Sequence, residues 1–250
     1  MIYDKLPIVF LSTLVSDKKD STNSQIATYI LEHKDNLQNI GIKQMASECH
    51  VAMSSISRFC KEIGLQDYNE LRELLVSTHY HFQQVSSLQD YKIQLIENIE
   101  KCDQSLDLKK MEMLVEDIKQ YQKVGIFGLL KAESVAINLQ CDLLMLGKQI
   151  TTKLAYNEQM DYLQNIDQED LVIIFSYTGT YFDPNDLRRL HKQLRKAKVW
   201  MITGQIVNSP YIDQQIVFDS SLDQLSHPYT LQYIASLLAQ MYAKIYNLII

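Results

Sequence analysis

What is missing from this chain narrows its class first. There is no excess of positive charge: 24 Lys and Arg stand against 30 Asp and Glu, a formal net charge of -6. Any contact with nucleic acid must therefore come from a local patch rather than a global field. There is no closely spaced cysteine pair, since Cys49, Cys60, Cys102 and Cys141 are too scattered for a C-x-x-C site or a dense disulfide frame. That excludes a zinc ribbon and fits reduced thiols. No apolar run approaches the roughly 20 residues of a membrane span. The most tempting one, Leu6 to Val15, is too short and no small-residue cleavage site follows it, so a cytoplasmic protein without membrane contact is expected. No internal repeat, low-complexity tract, metal-ligand cluster or nucleophile–base pair is visible, and neither a metal nor another cofactor is expected.

What is present is a sequence of two textures. Its 46% hydrophobic and 22% charged residues suit a globular chain with real cores. Before about Tyr91 the apolar residues recur at helical spacing. From Val124 onward, short apolar runs alternate with amphipathic stretches, the signature of repeated βα units. The expected fold is an all-α domain followed by an α/β three-layer sandwich with about five parallel strands. Boundaries are placed at 1–80, a linker or connecting helix over 81–106, and 107–250. Strands are expected at Lys123–Gly128, Gln149–Ala155, Leu171–Phe175, Lys198–Thr203 and Gln215–Phe218, the third buried on both faces because its five apolar residues do not alternate. Helices are expected at Glu133–Leu146, Asp186–Ala197 and Pro228–Leu248.

In the first part, Thr22 followed by Gln25 has the form of a capping box opening a helix to about His33. Helices then follow at Ile42–Cys49, at Met53–Ile63 with Gly64 as its stop, and from Tyr68 to about Thr78. The polar segment Thr78–Asp90 reads as a linker or exposed helix end. The middle pair (IKQMASECHVAMSSISRFCKEI) carries the sharpest signal. Ala46 is small enough for two helices to cross closely, Val51 points inward from the turn, and Ile56 and Phe59 give the second helix its buried face. Lys43, Ser54, Ser55, Ser57, Arg58 and Lys61 remain for an outer surface, where hydroxyls and cations reach DNA phosphates or base edges. Read from periodicity alone, a helical pair with a solvated face fits equally well.

The stretch Ser24–Leu71, with Ile56, Arg58, Phe59, Lys61 and Gly64 in the pattern Ile-x-Arg-Phe-x-Lys-x-x-Gly, resembles the N-terminal helix-turn-helix domain of the RpiR/MurR family of bacterial regulators. Two residues depart from that family. Ala52 stands where a Ser usually caps the recognition helix, and His50 stands where the turn usually has Gly. Residues 1–80 carry 8 Lys and Arg against 10 Asp and Glu, so dimerisation on a double-stranded, palindromic operator is expected to supply the affinity.

The resemblance extends to the second part, which looks like the sugar-isomerase (SIS) domain that follows this module in the family. It implies a small-molecule effector, a phosphosugar in the ordinary case, held at the C-terminal edge of the sheet by two loops. The second loop keeps Ser176, Thr178 and Gly179, with Thr180 beside the substituted Tyr181. The first departs further: the family's Gly-x-Gly-x-Ser is Gly128-Leu129-Leu130-Lys131-Ala132 here, followed by Glu133, whose charge opposes phosphate, and by Ser134 as a substitute donor. An ordinary phosphosugar, an altered ligand, and a domain kept only for oligomerisation all stay open.

An isomerase needs a general base. Of the six histidines only His227 falls near the site, and capping the last helix accounts for it. Catalysis is therefore not expected, with a SIS-type sugar-phosphate isomerase as the alternative. The stripe Leu231, Ile234, Ala235, Leu238, Met241, Tyr242 and Ile245 is wider than one sheet face needs. A homodimer or homotetramer would use the surplus; packing on its own sheet is the other reading.

Overall fold

The computed structural model describes residues 5–16, 21–76, 84–182, 184–223 and 225–246. Its first part is helical: α1 (Lys5–Ser16), α2 (Thr22–His33), α3 (Ile42–Glu48), α4 (Met53–Glu62) and α5 (Tyr68–Val76). The cap of α2 is one residue earlier than expected. Ser21, in extended backbone, accepts from the amide of Ser24, while Thr22 is already helical. The expected linker is described only from residue 84, and α6 (Leu88–Ser105) begins within it, capped by Ser87.

The second part runs α7 (Leu108–Gln120), β1 (Lys123–Phe127), α8 (Lys131–Met145), α9 (Tyr156–Gln164), β2 (Asp170–Ser176), α10 (Pro184–Leu194), β3 (Lys198–Thr203), β4 (Gln214–Val217) and α11 (Tyr229–Ile245). The sheet has four parallel strands in the order β1-β2-β3-β4, not about five. The expected strand at Gln149–Ala155 reduces to a single bridge between Thr151 and Gly125. Its polar sequence is the reason: Gln149 and Leu154 are exposed, and only Ile150 and Ala155 of the stretch are buried. The Lys153 carbonyl is taken by a side chain, Gln159, rather than by a strand ladder.

Strand residues alternate between two cores, as period-2 geometry requires. Leu171, Ile173, Phe175, Trp200 and Ile202 pack with α7, α8 and α11. Val172, Ile174, Val199 and Met201 pack with α9 and α10, in an apolar cluster that continues into the N-terminal helices. Buried Asp117 on α7 accepts from Trp200 Nε1 at 2.8 Å and pairs with Lys198 Nζ at 2.7 Å, pinning α7 to β3. On α11, Leu231, Ile234, Ala235, Leu238 and Tyr242 are buried, whereas Ile245 stays exposed.

Candidate functional site

The helix pair α3–α4 forms because each residue of its turn has one job. Val51 N donates to Ala46 O at 2.9 Å, closing the turn over the small residue. His50 takes a left-handed backbone, φ 55°, where glycine is the easier occupant. Ala52 is the N-cap of α4 and supplies no side-chain bond. Ile56, Phe59 and Cys60 face inward, with Phe59 stacked on Phe10 of α1 at 6.1 Å. At the other end, Gly64 adopts φ 90° and Leu65 N returns to Cys60 O at 2.8 Å.

The six DNA-face candidates divide in two. Lys43, Ser54, Arg58 and Lys61 are exposed, and Ser55 and Ser57 half-buried, with the Ser57 hydroxyl bonded to Met53 O at 3.2 Å on its own helix. Arg58 pairs with Glu62 one turn on at 3.5 Å, a surface contact of small energy that DNA can replace. Arg58 and Lys61 do not stand on open surface alone. With Asn23 and Glu62 they line one wall of a polar cleft of about 520 Å³ whose other wall is Asn157, Asp161 and Arg189 of the α/β domain.

The second site lies where the sheet changes direction. After β1 the chain passes outward to Thr151, then returns to β2 on the opposite side of β1. Such a switch point leaves a crevice at the strand C-termini, and both expected ligand loops border it. In the first, Gly128 allows no side chain, since a Cβ there would lie 2.6 Å from the Ala132 carbonyl carbon. Leu130, at the family's glycine position, holds φ 48° and ψ -103° before α8 and gives that helix no side-chain cap. The Ser134 hydroxyl is bonded to Lys131 O at 2.7 Å on the outer surface of α8.

Glu133 is buried, and burial pushes its carboxyl up to about 8. The acid is thus mostly protonated at neutral pH, so the expected repulsion of phosphate is weaker there than its formal charge suggests. Lys131 Nζ reaches His227 O at 3.3 Å. His227 does not cap α11, whose N-cap is Pro228. Its ring instead stacks on Tyr177 at 4.7 Å and 6°, and burial with nearby Lys131 lowers its pKa to about 3, so it is neutral.

In the second loop, Ser176 is buried at the end of β2. Gly179 sits at φ 73°, where a Cβ would meet Val207 at 2.6 Å. The hydroxyls of Thr178 and Thr180 are 2.7 Å apart and the backbone O of Thr178 is held by the Gln205 amide. Tyr181, which stands in for the family's last Thr, turns inward. Its hydroxyl donates to Gln159 Oε1 at 2.7 Å, and Gln159 Nε2 donates to Gly128 O and Lys153 O, both at 2.8 Å. Gln159 thus ties the two loops together. It was not among the expected residues, and the one signal for its helix is the spacing Tyr156, Gln159, Met160, Leu163. Among the described residues no group of three or more side chains could hold a metal, and no helix is long and apolar enough to cross a membrane.

Comparison with known proteins bears on both parts of the chain. Residues 11–79 match the model of the helix-turn-helix domain of the rpiR family. A curated relative, an uncharacterized HTH-type transcriptional regulator of Providencia stuartii, is 24% identical over 199 residues, covering 72% of this chain and 71% of that protein. Among solved structures, the Vibrio vulnificus NanR protein complexed with ManNAc-6P covers 97% of this chain and 92% of its own, at 18% identity and a TM-score of 0.56. The sugar isomerase domain of the RpiR transcription factor from Sphaerobacter thermophilus covers 63% of this chain and 89% of its own, at 21% identity and a TM-score of 0.53. At these identities the structural likeness establishes the fold: a helix-turn-helix unit followed by a sugar-isomerase α/β domain. Over residues 11–79 the chain carries a helix-turn-helix domain of the rpiR-family type, and as a whole it is similar to an HTH-type transcriptional regulator.

Proposed function

We propose that this regulator binds a palindromic operator as a homodimer or homotetramer in the cytoplasm and answers to a small carbohydrate-type ligand in the crevice between β1 and β2. Residues 1–80 serve as its DNA-binding unit, 81–106 as the connection and 107–250 as the sensing and oligomerising unit. Lys43, Ser54, Ser55, Ser57, Arg58 and Lys61 supply the DNA contacts. Ser176, Thr178, Gly179 and Thr180 hold the ligand. Ser134 fits this role less well, because its hydroxyl is engaged on the outer face of α8.

The observation that carries this reading is the asymmetry of the two loops. The hydroxyl-bearing loop is intact around Gly179, while the loop after β1 presents Leu130 and Ala132 where a phosphate needs a close backbone and a hydroxyl. Each hydrogen bond lost to a charged group removes on the order of 1.5–3 kcal/mol, or one to two decades of affinity. Hexose and hexosamine phosphates, N-acetylmannosamine 6-phosphate included, are therefore expected to bind at millimolar concentration or not at all. His227 is buried in a ring stack on Tyr177 with its basicity lowered, which makes it a poor general base and favours a sensing role over isomerisation.

Calorimetry of the full chain against free sugars, polyols and sugar phosphates tests this. Micromolar binding of a phosphosugar would overturn the weakened-phosphate reading, and turnover of an aldose phosphate in the same panel would make the protein an isomerase. For any ligand found, Ser176→Ala with Thr178→Ala should abolish its effect on operator affinity.

A further inference from the structure

The helix α9 begins without a cap of its own. Its N-cap residue is Ala155, which has no side-chain acceptor. The acceptor comes from another part of the chain: the hydroxyl of Ser12, on α1, accepts from Tyr156 N at 3.1 Å and donates to Leu154 O at 3.0 Å. Ser12 is buried, and it lies within the segment that matches the helix-turn-helix domain. The same α1 places Phe10 against Phe59, on the buried face of α4. Tyr156 also donates its hydroxyl to Asp186 at the start of α10.

One turn along α9, Gln159 is fully buried and bonds to both loops of the crevice. It donates to Gly128 O in the first loop, accepts from Tyr181 OH in the second, and donates to Lys153 O in the segment leading into its own helix. A helix is stiff over one turn, about 5.4 Å of axial rise. A shift of either loop that moves Gln159 must therefore move Tyr156 or break buried hydrogen bonds.

We infer that α9 is the coupling element of this regulator: Gln159 is a positioning residue that registers the state of both ligand loops, and the Ser12 cap passes that state to α1 and the recognition helix α4. This rests on the reading of the chain as a ligand-responsive regulator. It also gives Tyr181 a purpose. The substitution that costs the ligand loop a Thr hydroxyl supplies the phenol that joins this loop to Gln159. Coupling of this kind is reciprocal, so disturbance at either end must be felt at the other.

Hydrogen exchange of the full ligand-free chain, read by mass spectrometry, tests the inference in both directions. Ser12→Ala should speed exchange in residues 128–132 and 176–182 by roughly tenfold, with Ser12→Thr restoring the original rates. Gln159→Glu keeps the size and the acceptor for Tyr181 but loses both donors, and it should speed exchange in residues 5–16 and 53–62. A merely structural role for either side chain predicts faster exchange around the substitution alone, or a uniform rise with a lower Tm, and either pattern overturns the proposal. A second arm uses the duplex that the wild-type protein enriches from a random library. Gln159→Leu, which removes the same hydrogen bonds without adding charge near the Arg58–Lys61 cleft, should change affinity for that duplex at least threefold, and an unchanged affinity counts against the relay. Failure to enrich any duplex would instead overturn the regulator reading, while the exchange arm still decides the coupling.

Discussion

At the helix-turn-helix turn and at the loop after β1, this chain departs twice each from the RpiR/MurR pattern it resembles, and the consequences differ. His50 and Ala52 replace a glycine and a capping serine, yet the turn closes: Val51 reaches Ala46 O and α4 starts on schedule. Leu130 and Ala132 stand where the resembled pattern has a glycine and a phosphate-binding serine, and on the proposed reading those departures remove chemistry, because a ligand loop works through the donors it offers. A turn built from backbone hydrogen bonds and inward-facing apolar residues tolerates a change of side chain at modest cost. A cradle built from side-chain hydroxyls does not.

The comparison is most sharply tested at Arg58, where the largest effect is expected. If the helix-turn-helix is functionally whole, Arg58→Ala should cost roughly 1–3 kcal/mol per half-site, which is about 5- to 150-fold. Stability should hardly change, since the Arg58–Glu62 pair is exposed. Gel-shift titration at fixed salt with the enriched duplex checks this. Equal affinity of the variant would mean that the turn is preserved as fold alone.

Much of the turn was legible in the sequence because its restraints are local. A small residue at Ala46, a position at His50 tolerant of left-handed backbone, and the spacing of Val51, Ile56 and Phe59 all fall within 14 positions of one another. The buried strand around Leu171–Phe175 was legible for the same reason. The crevice was only half legible. Its loops can be found from strand–turn–helix order, but the partners of its side chains come from far along the chain. Gln159 sits in YNEQMDYLQ, a stretch that reads as polar surface, and its role depends on Gly128, Lys153 and Tyr181. Glu133 reads from the sequence as a negative charge opposing phosphate, and only its burial reveals a mostly neutral acid. The Ser12 cap spans 144 positions and has no local signature.

The next effect in size concerns pH and belongs to the ligand crevice alone. The folded pKa of Glu133 is raised from 4.5 to about 8, so its contribution to stability is fully present below 4.5 and is lost as pH rises to about 8. The folded pKa of His227 is lowered from 6.5 to about 3, so stability falls as pH drops from 6.5 toward 3. The two slopes oppose each other between 4.5 and 6.5 and leave Glu133 alone above that. Between pH 6.5 and 8 the native chain should lose at most about 1.4 kcal/mol per pH unit through this group. Urea denaturation of Glu133→Gln over the same range should be flatter by that amount. An identical slope in the variant would return Glu133 to the solvated anion that the sequence suggests.

The smallest effect sets the two helix starts of the DNA-binding domain against each other. The α2 helix has a side-chain cap, Ser21, whose hydroxyl accepts from Ser24 N at 3.0 Å, while α4 starts at Ala52 with none. Ala52 lies in extended backbone at φ -72° and ψ 148°, the geometry a capping serine needs, and it is exposed, so a hydroxyl there meets no steric obstacle. Ala52→Ser should stabilise the domain by about 1 kcal/mol, and Ser21→Ala should destabilise it by a similar amount. For a chain of this length each change corresponds to about 2–4 °C in Tm. The double variant should melt close to the native protein, because the two caps lie on different helices and share no partner. If Ala52→Ser gives no gain while Ser21→Ala costs the full amount, the amides at the start of α4 are already satisfied by water, and the missing cap costs the turn nothing. In that case the tolerance of the turn would be complete rather than modest, and the contrast with the ligand loop would widen.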